Sequence, residues 1–199
     1  MSERRERKKA AARSAVVAAA AQMFVERGFE ATRIDAIAER ADVAVGTVYN
    51  HFPTKPDLLR AVMLNDVEDV LERAAPLAAT ASGAPASAVA ALTDVLVDVM
   101  ERRPRQLWRD VLGYAMIDPR ASLGRAYADV LARLRAVLIV AFEALSRDRA
   151  LRRHSIDAAA GVAFAIAFTQ IHAYVADDAV SAADTKRSIR RLMSQPSRD

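Results

Sequence analysis

The chain has no cysteine, and its 199 residues include only six glycines, seven prolines, one tryptophan and three histidines. Without thiols there can be no disulfide and no thiolate metal site, and the composition suits a reducing cytoplasm. His51, His154 and His172 lie far apart, so no metal-ligand spacing exists. Scarce glycine leaves no phosphate-cradling loop. Neither G-x-G-x-x-G nor a Walker loop occurs, and G-x-S-x-G and H-E-x-x-H are also absent. Asp94 and Asp98, one helical turn apart, imitate a carboxylate pair but read as a solvated face. The sequence therefore points to no enzyme and to no cofactor. The basic N-terminus MSERRERKKAAARS is followed by no apolar run of the kind a secretion signal carries.

What remains is helix-forming. Hydrophobic residues make up 53% of the chain, Ala, Leu, Arg and Asp are abundant, and β-branched runs are few. An all-α fold of about nine helices follows. Charge is unevenly spread: residues 1–60 hold 11 Lys/Arg against 8 Asp/Glu, whereas residues 61–199 hold 18 against 17. The excess positive charge sits at the N-terminal end, where it suits a phosphate-bearing partner.

The most informative stretch is Thr32 to Lys55, TRIDAIAERADVAVGTVYNHFPTK. Thr32 and Asp35 have capping-box spacing, and Ile34, Ile37, Ala38 and Ala41 recur on one helical face. After a break at Asp42-Val43-Ala44, a second short helix runs from Val45 to about His51. Val43 and Val48 turn inward against Ala38, whose small side chain permits a steep helix crossing. This is a helix-turn-helix, with the second helix free to enter a DNA major groove.

Within it, Ile37-Ala38, Ala41, Val43, Gly46-Thr47, Tyr49, His51-Phe52, Lys55 and Leu58 fall in register with the signature I-A-x-x-A-G-V-S-x-G-T-x-Y-x-Y/H-F-x-x-K-x-x-L. The segment resembles the DNA-binding region of the tetracycline-repressor (TetR) family. It departs from the signature at two points. Asp42 replaces the usual turn glycine, and Asp tolerates φ > 0 better than most residues. Ala44-Val45 replaces the usual Ser and following polar residue. The helix thereby loses a capping hydroxyl worth about 1 kcal/mol and presents an apolar side chain at its groove-facing start.

Elsewhere the chain reads as a succession of helices. Helix 1 carries Val17, Ala20, Ala21 and Phe24 inward and closes at Gly28, with Phe29 folded back on Phe24. Arg4, Arg5, Arg7, Lys8 and Lys9 precede its apolar stripe, either as a frayed solvated tail or as an arm reaching phosphate. Thr54 and Asp57 cap helix 4, which runs to about Arg73. Pro76 to Ser87 reads as a loop, helix 5 as about Ala88 to Arg102, and Pro104 as the start of helix 6. Asp118-Pro119 reads as the start of helix 7, and Arg147-Asp148-Arg149 with Arg152-Arg153 as a charged connection. Between Asp157 and Asp177 no charge occurs, but Gln170, His172 and many alanines favour a helix buried in protein over a membrane span. Gly161, Ala165 and Thr169 form a small-residue stripe on that helix. The last helix, capped by Ser181 and Asp184, presents Ile189, Leu192 and Met193. Pairing of both helices with their copies would make a four-helix homodimer interface.

The resemblance implies two domains, 1–55 for DNA binding and 56–199 for ligand binding and dimerisation, with helix 4 connecting them. It also implies a dimeric cytoplasmic regulator, most simply a repressor that a small hydrophobic effector releases from a palindromic operator. DNA would be met by Arg33, Val45, Gly46, Thr47, Tyr49, Asn50, His51 and Lys55, with Arg33, His51 and Lys55 on phosphates. The effector would be met by Met100, Trp108, Tyr114, Met116, Phe164 and Phe168, with Gln170, His172 and Tyr174 as polar contacts. Two alternatives are a DNA-binding dimer that responds to no ligand and a helical enzyme or membrane-associated protein carrying a helix-turn-helix.

Overall fold

The computed structural model describes residues 2–146 and 153–194, and over these the expected all-α architecture holds. The helices are α1 (Ser2–Arg27), α2 (Ile34–Arg40), α3 (Val45–His51), α4 (Lys55–Ala79), α5 (Pro85–Met100), α6 (Arg105–Ile117), α7 (Ser122–Leu145), α8 (Arg153–Ala176) and α9 (Ala182–Met193). The expected charged connection at 147–149 and Arg152 lies outside the described residues.

Packing divides the chain into two compact units. The first comprises Met1–Asp66 with Arg103–Tyr127, the second Val67–Arg102 with Ala128–Asp199. This differs from a simple division after residue 55, because α6 and the start of α7 pack with the helix-turn-helix. The first unit's core draws Val16, Ala20, Met23 and Phe24 from α1, Ile37 and Ala38 from α2, and Val48 from α3. Leu58, Leu59 and Val62 of α4, Leu107 and Val111 of α6, and Leu123 of α7 complete it. At its centre Phe29 meets Phe24 edge-on at 5.2 Å and Tyr114 at 5.4 Å between ring centroids.

The second unit is built on Ala74, Ala78, Val89, Leu92, Leu138, Ala141, Phe142, Ala160, Ala163 and Ile189, with Val70, Val95 and Val99 in a smaller cluster. Ile189 is fully buried in this single-chain core. It is therefore a core residue of α9 and not, as expected, part of a dimer face. Leu192 and Met193 are half-buried, and Met193 also packs on this core. Asp94 and Asp98 are not merely solvated: Asp94 pairs with Arg190, and Asp98 accepts from Lys186 at 2.5 Å, so both carboxylates hold α5 to α9.

Several helix ends differ from the sequence reading. Thr32 and Asp35 form no capping box, because α2 begins one residue later, with Arg33 as its N-cap. The buried Thr32 hydroxyl donates instead to the carbonyl of Gly28 at 2.6 Å. Pro76 lies inside α4, which continues to Ala79, so the expected loop from Pro76 shrinks to residues 80–84. Its alanine neighbours favour helix strongly enough to carry one missing N–H. The α8 helix begins at Arg153, so His154 is helical and not in a loop. The capping boxes at Thr54–Asp57 and Ser181–Asp184 do form. Gly28 takes φ +82 as expected, and its N–H donates to the Phe24 carbonyl at 3.0 Å.

Asp118-Pro119 makes a turn ahead of α7, in which the Asp118 carboxylate accepts from the N–H groups of Arg120 and Ala121. That turn lies against Gly124, where an added Cβ would meet the Asp118 carbonyl oxygen at 2.5 Å and the Pro119 backbone at 2.6 Å. Gly113, in α6, has open space around the same position. An exposed helical Gly→Ala change ordinarily stabilises by up to about 1 kcal/mol. Gly113→Ala should therefore raise the thermal midpoint slightly, whereas Gly124→Ala should lower stability by about 2 kcal/mol through overpacking. Opposite signs in calorimetry of the two variants are the expected result; equal shifts would contradict this account.

Candidate nucleic-acid interface

The turn between α2 and α3 is held by backbone bonds from Ala41 to Ile37, Asp42 to Glu39 and Val43 to Ala38, at 2.9–3.1 Å. Asp42 takes φ +52, the left-handed geometry anticipated for the usual glycine position. Ala44 caps α3 with no side-chain hydrogen bond, as its missing hydroxyl requires. Val48 points inward and is fully buried, which orients the rest of the helix. Val45 is 41% exposed and Tyr49 49% exposed, and Gly46 and Asn50 are exposed with them. Tyr49 thus stands half open to solvent, outside the buried core. Thr47 and His51 are half-buried at the edge of the same face.

Charged contacts brace this head. Arg40 donates from one guanidinium nitrogen to both oxygens of Glu26 at 2.8 Å, joining α2 to α1. The Arg40 hydrogen bond holds the Glu26 carboxyl below its ordinary pKa. Arg33 forms an exposed pair with Asp35 at 2.8 Å, which lowers the Asp35 pKa and leaves the guanidinium at the surface. A pair this exposed contributes little to stability, so exchanging Asp35 for a phosphate would sacrifice little.

Lys55 has an internal assignment that sequence reasoning missed. Its Nζ donates to the carbonyls of Glu30 at 3.0 Å and Thr32 at 3.1 Å, and lies 4.4 Å from the Phe29 ring centroid. The residue closes the α1–α2 loop onto α4 within the chain itself. Tyr114 donates from its hydroxyl to Glu30 at 2.8 Å, and that bond raises the Tyr114 pKa. Burial raises the pKa of Asp110, on the same helix as Tyr114 and close enough to feel the charges of Glu30 and Lys55. A second unforeseen contact is the bidentate pair of Arg103 with buried Asp66, at 3.0 and 3.3 Å. A signal for it existed, since Asp66 continues the apolar register Leu59, Met63, Asp66, Val70 on α4.

The expected effector residues fall in both units. Trp108 and Tyr114 pack against the first unit's core, and Met116 is 70% exposed. Met100 and Tyr174 are buried in the second unit. Phe164 and Phe168 stack at 5.8 Å between ring centroids, followed by His172 at 3.8 Å from Phe168. His172 Nδ1 lies 2.8 Å from the Phe168 carbonyl oxygen; Gln170 is half-buried but stands about half a turn around α8 from this row. Among the described residues no group of three or more His, Asp or Glu could hold a metal ion.

The α8 helix is not buried on all sides. Ala158, Ala159, Val162, Ala165, Thr169, Ala173 and Ala176 are exposed along one side, with Val162 at 61% and Gly161 half-buried at its edge. By length and composition its stretch Ser155–Ala176 could cross a membrane, although its position in the second unit's core serves a protein interior equally well.

Residues 16–62 match the sequence model of the bacterial regulatory proteins, tetR family. The helix-turn-helix segment and the helices flanking it are thus similar to that family's, over about a quarter of the chain. The chain's match to the transcriptional repressor KstR of Mycolicibacterium smegmatis is 39% identical over 77 residues, 39% of this chain and 37% of that protein. The transcriptional activator FasR of the same species is 27% identical over 137 residues, 68% of this chain and 59% of that protein. The chain thus spans between about a third and three-fifths of the length of these relatives. The fold is shared with FadR of Thermus thermophilus, a TetR-family repressor solved in complex with lauroyl-CoA. The TM-score is 0.68 at 22% identity, over 91% of this chain and 92% of that one.

The free-protein role of Lys55 is testable. Lys55→Met keeps the aliphatic stem but removes two charged hydrogen bonds and the contact with the Phe29 ring, a loss of about 1–2 kcal/mol. The thermal midpoint of the DNA-free protein should drop by roughly 3–6 °C. An unmoved midpoint would assign Lys55 to phosphate alone.

Proposed function

We propose that the chain is a homodimeric, cytoplasmic transcriptional regulator, not an enzyme, that binds a palindromic operator and is released by a small hydrophobic effector. The observation that carries this reading is the face of α3. Buried Val48 anchors the helix while Val45, Gly46, Tyr49 and Asn50 stand free at its surface. In the proposed complex this face enters the major groove. Val45 contacts a thymine methyl or a sugar edge, and Thr47 and Tyr49 meet bases or phosphate. Arg33, His51 and the remaining donor of Lys55 hold the backbone on either side. Tyr49→Ala should weaken binding to an operator selected from random duplexes by about 1–3 kcal/mol and relax preference at one position per half-site. A loss that is equal on selected and scrambled duplexes would remove Tyr49 from base reading.

The dimer is assigned to the exposed side of α8, with Val162, Ala165 and Thr169 at its centre, Gly161 at its edge, and Leu192 and Met193 of α9 at its margin. Small residues allow close approach of two such helices, and burying Val162 and its neighbours supplies the drive. Val162→Asp places a charge where the single chain is open to water, so helical content should persist. Sedimentation should then show a monomer, and operator affinity should fall by at least about 100-fold because two half-sites no longer bind together. A persistent dimer would move the interface to another face.

The effector is assigned to the second unit, to the aromatic row Phe164, Phe168 and His172 on one side of α8, with Gln170 and Tyr174 on another side and Met100 on α5 as further candidates. The fatty-acyl ligand of the T. thermophilus FadR neighbour supports an apolar effector of some length. Linkage sets the test. A coupling of about 1–3 kcal/mol gives a 5–150-fold change in operator affinity, and operator must weaken the effector by the same factor. Fatty acyl compounds ranked by thermal shift, then titrated with and without operator, should show that reciprocity. Equal affinity in the two titrations would leave a DNA-binding dimer without ligand control.

A further inference from the structure

The α1 helix begins well before the first unit's core does. It is continuous from Ser2, yet its first fully buried residue is Val16 and residues 3–11, before the half-buried Ala12, are exposed, so nearly three turns stand clear of the packed body. Those turns carry Arg4, Arg5, Arg7, Lys8 and Lys9, and Arg13 follows, all exposed, against Glu3 and Glu6. Residues 1–13 therefore hold a net charge of +4, the formal net charge of the entire chain. Residues 14–60, which contain the helix-turn-helix itself, hold five Lys/Arg against six Asp/Glu, a net of −1. Several of those five are engaged: Arg33 with Asp35, Arg40 with Glu26, and Lys55 with two carbonyls. Among the described residues, none of the six extension cations has a carboxylate partner.

The charge is also directed. Arg5, Lys9 and Arg13 fall at i, i+4 and i+8, one face of the helix. Arg13 lies with its guanidinium carbon 5.3 Å from the centroid of the Phe52 ring, and Phe52 is the residue that ends α3. The cationic face is thereby tied at its base to the end of the recognition helix. A rise of 1.5 Å per residue gives residues 3–13 a length of about 15 Å, enough to pass roughly four phosphates of one DNA strand.

We infer that residues 3–13 form a second, sequence-independent DNA contact: a projecting cationic helix that follows the phosphate backbone beside the groove taken by α3. The inference rests on the DNA-binding reading of α3. It assigns most of the electrostatic attraction for DNA to the extension and leaves base reading to α3. A nearly neutral helix-turn-helix body gains the phosphate contacts it lacks, and each is worth about 0.9 in the slope of log affinity against log salt.

The test uses the full chain and two duplexes, one selected by that chain from a random pool and one with the selected site scrambled. Binding is followed by fluorescence anisotropy between 50 and 200 mM KCl. The variant R5Q/K9Q should weaken both duplexes by the same factor and make the salt slope shallower by about 2 per protomer. Its thermal midpoint should match the parent, because both side chains are exposed. Ala11→Pro keeps every charge but interrupts the projecting helix, and should lose a comparable part of the slope. If R5Q/K9Q leaves the slope unchanged while the selected duplex is still bound, the extension is not a DNA contact. If Ala11→Pro alone binds like the parent, a loose tail suffices and the directed helix is refuted. If the parent enriches no duplex and binds neither one, the regulatory reading itself fails.

Discussion

Phe29 is the contact on which the first unit depends. Gly28 reverses the chain at the end of α1 with φ +82, and that turn drops Phe29 into the core. Its ring then receives Phe24 from α1, Tyr114 from α6 and the ammonium of Lys55 from α4. The three approaches suit the ring's quadrupole, with two aromatic edge contacts and one cation. Neighbouring polar groups finish the arrangement, as Glu30 accepts from Tyr114 and the Glu30 and Thr32 carbonyls accept from Lys55. A displacement of α6 relative to α4 must therefore disturb the loop that leads directly into α2.

The helix-turn-helix was legible because its determinants are local. A 3.6-residue apolar period and a turn residue tolerating φ > 0 both act within ten residues, and a long register match fixed the boundaries of α3. The errors arose where a local rule competed with something distant. Thr32 had the right spacing for a cap, but its hydroxyl satisfies a carbonyl at the end of α1, which no pattern within α2 reveals. Pro76 looked like a terminator, yet an alanine-rich helix carries it. Ile189 looked like a surface stripe residue because α9 has a narrow apolar side, and that side is needed for its own core.

The site residues divide in the same way. Val45, Gly46, Tyr49 and Asn50 could be placed on one face from helical geometry alone, given that Val48 points inward. Lys55 and Asp66 could not be assigned partners, because those partners lie on other elements, 25 and 37 residues away along the chain. Asp94 and Asp98 show the converse. Their spacing imitates a carboxylate pair and reads as a solvated face, whereas each binds a different cation of α9. An acidic pair on a helix is thus as readily a clamp for the neighbouring helix as a solvated surface.

The exposed side of α8 has a consequence for partner choice. From Ala158 to Ala176 it presents methyl groups and one hydroxyl, and no charge at all. On the proposed dimer such a surface supplies contact area without discrimination, since selectivity between similar partners comes from repulsive or unpaired groups as much as from attractive ones. Paralogous chains with equally plain helices could therefore mate with it in the same cell, yielding mixed dimers that read two unlike half-sites. Fidelity would then have to come from the charges that border it, Asp157 and Asp177 at the two ends of the stretch and Arg135, whose guanidinium lies beside Gly161. Those few residues, not the helix that supplies the area, would decide which operators a crowded regulator repertoire can address.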